Sequence, residues 1–279
     1  MNPEQNIPVD ARMLLPQIDH LFIQLLKELS PEDWQRPTVA RLWKVKDVVG
    51  HLLDGNIRVL SMLRDGYFGE SPSDTTYKGL VNYLNGLNAD WVKAMKRVSP
   101  SMLIMLHEIT GPLYCNYYAG LDPFAPSPFA VSWAGDTESP NWKHIAREYT
   151  EKFLHQQQIR DAVNKPGLMN RTYYTPFIHI FMLALPHQFK EVNAPVDTVV
   201  KLTIPEDIGG SWQIIKRADA WEVYAGNDIT PATTVSIPAA ISWPLFSKSI
   251  RPDAIMEKIN IEGNRILGEH ALHMVAVMA

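Results

Sequence analysis

The feature that most constrains the fold is a change of hydrophobic period near residue 195. Before it, apolar residues recur every three or four positions, the spacing that buries one face of a helix. After it, segments such as VDTVVKLTIPE, GSWQIIKRADAWEVYAG and ATTVSIPAA alternate or are β-branched, with Gly, Asn and Asp turns between them. The sequence therefore predicts a two-domain α+β protein. We expect a helical bundle over residues 1–192 and a small α+β domain over residues 193–279.

The composition excludes several classes of function. The 279 residues are 46% hydrophobic and 20% charged, with a formal net charge of −4 and no basic block, which gives no electrostatic footprint for nucleic acid. No apolar run approaches the 18 or more residues of a membrane span, and the N-terminus lacks a signal-peptide pattern. The single cysteine, Cys115, rules out an intrachain disulfide framework. We expect a cytoplasmic protein with no membrane partner, and the sequence does not set its oligomeric state.

Six helical segments are expected in the first domain, with a long loop before the fifth. Pro16 interrupts the first segment, and Gly66 is expected to end the second. The stretch over residues 111–141 is rich in proline, glycine and aromatic residues and is predicted to be a loop. A loop of this length in a compact domain is usually functional or poorly ordered. The segment TPFIHIFMLALPHQFKEV is predicted to be the last helix of the bundle, and PDAIMEKI is predicted to be a short helix of the second domain.

The stretch TEKFLHQQQIRDA, residues 150–162, carries the most distinctive chemistry. Glu151 and His155 are four residues apart and so share one helix face. His144 and Glu148 lie on the same stripe, but they are 11 and 7 residues from His155, about 16 Å and about 10 Å along the axis. Glu151 is therefore the partner that geometry allows.

A third ligand for a metal such as zinc would have to come from another helix, and His51 in DVVGHLLDGN is the candidate. Three protein ligands would leave one coordination position open, which is typical of a catalytic rather than a structural zinc site. Spacing alone leaves two other interpretations open. A Glu–His pair on a helix is often only a solvated contact, and a histidine beside an apolar stripe is often a core residue.

The segment WQRPTVARLWKVKDVVGHLLDGN resembles the signature of the DinB-like superfamily, in its mycothiol-dependent maleylpyruvate isomerase branch. The matching residues are Trp34, Pro37, Thr38, Trp43, Val45, Asp47, Val48, His51 and Leu52. The resemblance implies a DinB-like four-helix bundle in which His51, Glu151 and His155 hold a divalent metal, commonly zinc. It also implies that residues 196–279 form a C-terminal α+β domain similar to sterol carrier proteins.

The function expected from this resemblance is that of a metal-dependent enzyme using a low-molecular-weight thiol, either an isomerase or an S-transferase acting on a small-molecule substrate. The alternative is a metal- or small-ligand-binding protein without turnover. A cationic group within reach of the open metal position would favour catalysis. The sequence does not single out that group among Arg160, Arg171, Arg217 and Arg251. Cys115 is a second candidate nucleophile, although a lone buried cysteine is more often a small hydrophobe.

Overall fold

The computed structural model of the protein describes residues 7–74 and 76–277, which form two compact units. The first unit contains the chain up to residue 125 together with residues 151–167. The second contains residues 126–150 and the chain from residue 168 onwards, including all the described strands. The α+β class predicted from the sequence is confirmed. The predicted domain boundary at residue 192 stays a prediction.

The first unit is built on helices α1 (Leu15–Lys27), α2 (Val45–Val59), α3 (Tyr77–Met95), α4 (Pro100–Ala119) and the part of α5 (Asn141–Ala162) from residue 151 onwards. Pro16 lies in the first turn of α1, where its missing N–H breaks no helical hydrogen bond. At the start of α2, the backbone N–H of Lys44 donates to Asp47 Oδ2 at 3.0 Å, the contact that closes a capping box.

Four of these helices share one apolar core. Buried residues of α1, α2, α4 and α5 form a single cluster, to which Trp34 and Val163 also belong; the helical members are Phe22, Leu25, Leu26, Val45, Val48, Val49, Leu52, Leu53, Leu103 and Ile159. Helix α3 adds the partly buried Trp91 and Met95. This is the helical bundle predicted from the apolar spacing, and it sets α2 beside the 151–162 part of α5.

Helix α4 corrects the loop predicted over residues 111–141. The helix continues through Pro112 to Ala119, so the connection to α5 begins at Gly120. Residues 103, 107, 111, 114 and 118 are all buried, which extends one core-facing stripe past the proline. Burial of this stripe outweighs the roughly 3 kcal/mol that a proline costs inside a helix.

The second unit holds a five-stranded sheet. The strands are β1 (Val199–Ile204), β2 (Gly210–Lys216), β3 (Trp221–Val223), β4 (Thr233–Ser236) and β5 (Asn260–Gly263), in the order β3-β2-β1-β4-β5. The β1–β4 pair is parallel, and the other neighbouring pairs are antiparallel. The helices are α6 (Tyr174–Phe181), α7 (Leu185–Gln188), α8 (Ala239–Phe246) and α9 (Arg265–Ala271).

Two helix predictions in this unit need correction. The segment TPFIHIFMLALPHQFKEV was expected to be one helix, but α6 and α7 are separated by a 3-10 turn over Met182–Ala184. Pro186 lies in the first turn of α7, where a helix readily restarts. PDAIMEKI forms two short 3-10 turns, Pro252–Ala254 and Met256–Lys258, rather than a helix. Within the described residues, no helix has both the length and the apolar character needed to cross a bilayer.

A close contact between α1 and α4 leads to a first testable prediction. The Asp19 carboxylate lies against Gly111, where an added Cβ would come within 2.8 Å of Asp19 Cγ. Gly111→Ala should therefore destabilise the protein by about 1–3 kcal/mol through overpacking. The control is Gly86→Ala on α3, where an added Cβ meets nothing within 4 Å and helix propensity should give a gain of about 0.5–1 kcal/mol. Urea unfolding of both variants tests this, and equal effects would contradict it.

A second prediction concerns His107, which is fully buried on α4 and donates from Nε2 to the Val49 carbonyl at 3.0 Å. Burial, helped by the charge of Lys152, lowers the pKa of His107 from 6.5 to about 3. The unfolded chain therefore binds more protons than the folded one between these values, and stability is lost as the pH falls below 6.5. Between pH 6.5 and pH 5 the wild type should lose about 1.5 kcal/mol more than His107→Gln.

The measurement is urea unfolding of the two proteins at each pH. His20→Gln, which changes an exposed histidine of the same unit, is the control and should follow the wild type. Parallel pH dependences of the wild type and His107→Gln would contradict the prediction.

Candidate metal centre

The structure brings His51, Glu151 and His155 together. One ligand atom from each lies within 4.8 Å of the others. The Nε2 atoms of His51 and His155 are 2.9 Å and 3.1 Å from the same oxygen, Glu151 Oε1. The i, i+4 spacing on α5 places Glu151 and His155 on one face, and the packing of α2 beside α5 brings His51 to them. Their role as metal ligands stays a prediction.

The hydrogen bonding of His155 fits a cation at this point. Its Nδ1 lies 2.9 Å from Oε1 of the buried Gln158, and a neutral imidazole that donates there must carry its lone pair on Nε2. That lone pair then faces Glu151 Oε1, which is also an acceptor. A bound cation, or a proton on His155 Nε2, removes this repulsion between two acceptor atoms. Histidines that bind metals commonly donate their second ring N–H in this way.

The electrostatics of the three residues are coupled. Burial alone would raise the pKa of Glu151, but the neighbouring His155 and His51 hold it well below its ordinary value. For His155, burial acts to lower the pKa, but the Glu151 carboxylate more than offsets it and the pKa is raised. Burial lowers the pKa of His51. The carboxylate is therefore ionised at neutral pH, as ligation requires.

One side of the cluster is covered and another is open. The Trp43 ring packs against both imidazoles, with centroids 4.8 Å from His51 and 6.1 Å from His155. The side chain of His51 is 8% exposed and that of His155 is 12% exposed, whereas that of Glu151 is 43% exposed. The Glu151 side chain is therefore the member of the cluster most accessible from solvent.

Other residues singled out in the sequence lie elsewhere. His144 and Glu148 belong to the second unit and are not members of the cluster, in agreement with the axial distances. Arg160 is buried and donates to the Pro166 and Leu21 carbonyls, so its guanidinium serves the fold. Arg171, Arg217 and Arg251 belong to the second unit. Burial raises the pKa of Cys115 to about 12, which disfavours a nucleophilic thiolate.

Sequence reasoning missed two features of the site. Gln158 follows His155 by three residues on the same helix, a spacing that could have identified it as the partner of Nδ1. Trp43 was identified only as part of the motif, because its approach to both imidazoles depends on the fold of the segment before α2.

The fold and the site together define a class: a helical bundle with a His–Glu–His cluster, followed by a small α+β unit. A family model described as the mycothiol maleylpyruvate isomerase N-terminal domain matches residues 15–160, more than half of the chain. The chain belongs to this family, and the resemblance inferred from its motifs is confirmed.

Similar solved structures support the same fold over most of the chain. A crystal structure of a histidine-to-alanine mutant of mycothiol-dependent maleylpyruvate isomerase is similar with a TM-score of 0.53 and 10% identity, covering 94% of this chain and 96% of that one. A crystal structure of mycothiol-dependent maleylpyruvate isomerase is similar with a TM-score of 0.52 and 11% identity, covering 90% of this chain and 93% of that one. Identities this low show a shared fold alone. No curated protein sequence matches this chain.

Proposed function

We propose that the protein is a metal-dependent enzyme that uses a low-molecular-weight thiol, an isomerase or S-transferase acting on a small electrophilic substrate. His51, Glu151 and His155 would hold the divalent cation, with zinc as the first candidate. Mycothiol is the first candidate thiol, because the family and the similar structures carry it in their names.

The observation that carries this proposal is the convergence of three ligand atoms within 4.8 Å, two nitrogens and one oxygen. Such a set suits a borderline metal, and three protein ligands leave a position for an exogenous ligand. The exposure of Glu151 gives that ligand access. A structural zinc site would instead be closed by four ligands, commonly rich in cysteine, and the lone Cys115 cannot supply these.

A bound divalent cation would supply a low thiol pKa, since a coordinating thiol is deprotonated. The protein contributes orientation of the ligands and cover on one side of the site. Gln158 fixes the ring of His155 through Nδ1, and Trp43 covers the imidazoles on one side. The thiolate would add to an activated double bond or an electrophilic carbon. In an isomerase, rotation about the former double bond and expulsion of the thiolate would follow. In a transferase, the adduct would take up a proton from solvent, or the thiolate would displace a leaving group from the electrophilic carbon, and the thioether product would be released.

The test uses protein loaded with Co²⁺ and titrated with mercaptopropanol, followed by a turnover assay with mycothiol and maleylpyruvate. A thiolate-to-cobalt absorption band that is absent in His155→Ala, together with turnover, is the expected result. A band without turnover of electrophilic substrates would favour the non-catalytic alternative. No thiol binding to loaded protein would contradict a thiol-dependent enzyme.

A third prediction tests the support given to His155. Gln158→Leu removes the acceptor of Nδ1 and should lower the affinity for Zn²⁺ by about 10–100-fold, as loss of an outer hydrogen bond typically does. The control is Gln157→Leu, which alters the neighbouring buried glutamine and should leave the affinity within about threefold. Competition with a chromophoric chelator measures both, and similar losses in the two variants would contradict the assigned role.

A further inference from the structure

The end of the first unit where α2 begins and α3 ends is strongly basic. Residues 36–47 and 90–102 contain seven lysine and arginine residues but only two aspartates, in a chain whose formal net charge is −4. One of the two, Asp47, accepts the capping hydrogen bond at the start of α2. Because the cations come from two segments that are far apart in the sequence, they form no basic block there. The fold therefore assembles a positive surface that the sequence pattern does not reveal.

Packing of α2 against α3 brings the two basic segments together. The Lys46 ammonium donates to the Lys96 carbonyl at 3.1 Å, and Trp91 Nε1 donates to the Gly50 carbonyl at 2.9 Å. Four of the cations are exposed and form no ion pair with a described residue: Arg41, Lys93, Lys96 and Arg97. Their charge is therefore not neutralised within the described part of the chain.

Leu42 projects from this basic surface. It is 93% exposed, although leucine is among the residue types most often buried. The loop that carries it is ordered by hydrogen bonds. Thr38 donates from its backbone N and its Oγ1 to the Trp43 carbonyl, at 3.1 Å and 2.8 Å, and Trp43 N donates to the Ala40 carbonyl at 2.7 Å. The loop therefore displays the leucine to solvent, where contact with an apolar phase would be favourable.

A second exposed apolar side chain lies at the same end of the unit. Met102 is in the first turn of α4, five residues after Arg97, and is 45% exposed. The next residue, Leu103, belongs to the same buried cluster as Val45, the first residue of α2, so the two helices begin close together. This end of the unit therefore combines unpaired positive charge with exposed apolar side chains. Peripheral proteins bind anionic lipid surfaces through this combination.

We propose that this basic surface, made of Arg41, Lys44, Lys46, Lys93, Lys96 and Arg97, docks on a membrane that contains anionic lipids, with Leu42 inserted among the headgroups. An acidic protein could pair with the cations, but a lipid surface supplies negative charge and an apolar phase for Leu42 together. Such docking needs no spanning helix, and it replaces the expectation that the protein has no membrane partner. It does not depend on the metal site, because none of these residues is a candidate ligand.

The experiment measures cosedimentation of the full chain with vesicles of phosphatidylcholine alone or of its equimolar mixture with phosphatidylserine. The wild type should bind the anionic vesicles at least about tenfold more tightly than the neutral ones, and high salt should weaken this preference. The triple variant Lys93→Gln/Lys96→Gln/Arg97→Gln should lose at least about tenfold in affinity for the anionic vesicles, since each cation near a charged surface contributes severalfold.

The matched control is Lys190→Gln/Arg251→Gln/Lys258→Gln, which removes the same charge from exposed positions of the second unit. It should bind the anionic vesicles within about threefold of the wild type, because the contact is local to the basic surface. Equal losses in the two triple variants would show that net charge alone drives binding and would overturn the proposal. A wild type that binds neither kind of vesicle, or binds both equally, would also overturn it.

A second pair of variants separates insertion from attraction between charges. Leu42→Ala should weaken binding to the anionic vesicles at least about tenfold, through loss of buried apolar groups. Ile266→Ala is the control, because Ile266 is 80% exposed in the second unit and should not touch the membrane. Both changes are at exposed side chains, so the variants should stay folded. Undiminished binding of Leu42→Ala would point to a polyanion rather than a lipid surface and would overturn the proposal.

Discussion

Replacing His51 with alanine is expected to lower the affinity for Zn²⁺ at least about 100-fold, because a ligand should matter at least as much as the outer hydrogen bonds that support ligands. The protein should nevertheless stay folded. The apolar cluster of the bundle does not include His51. We expect its thermal unfolding midpoint to fall by less than about 10 °C in the absence of metal.

Chelator competition and thermal unfolding of the metal-free proteins measure the two effects. His20→Ala, at an exposed histidine on α1, is the control and should match the wild type in both. A His51→Ala protein that is unfolded at room temperature would argue that the cation holds the fold together. Unchanged zinc affinity would remove His51 from the site.

The second large effect is expected inside the bundle, where Lys152 is buried. Its ammonium donates to Asn56 Oδ1 and lies 4.5 Å from the centroid of the Tyr114 ring. Asn56 is itself fully buried and donates to Thr110 Oγ1 at 3.0 Å. Asn56→Leu removes the acceptor of a buried charge and should destabilise the protein by about 3–5 kcal/mol.

The double variant Asn56→Leu/Lys152→Met should be more stable than Asn56→Leu alone, because it removes the stranded charge as well. Asp19 limits this gain. Burial raises the pKa of its carboxyl group, and in the double variant this group also loses the favourable interaction with the charge of Lys152. Free energies of unfolding for the wild type, both single variants and the double variant complete the cycle. Additive effects of the two substitutions would show that the contact carries no coupling energy.

The hydrophobic period predicted the class of fold, and spacing together with the family motif predicted the members of the cluster. The i, i+4 spacing fixes the relation of Glu151 to His155 within one helix. The position of His51 beside Glu151 and His155 depends on tertiary packing, and the family motif supported it where spacing could not. The sequence therefore predicted which residues are close together only within one helix or through a known motif.

The errors have a common cause in tertiary packing. Pro112 indicated a loop because local propensity disfavours proline within a helix, but burial of Tyr114 and Tyr118 continues α4 beyond it.

The most direct test of the account is anomalous diffraction at the zinc edge from crystals of the protein grown with Zn²⁺. The account predicts one strong peak within about 2.0–2.2 Å of His51 Nε2, His155 Nε2 and a Glu151 carboxylate oxygen, with an exogenous ligand at a fourth position. A fully occupied zinc on other residues, with this cluster free of metal, would contradict it.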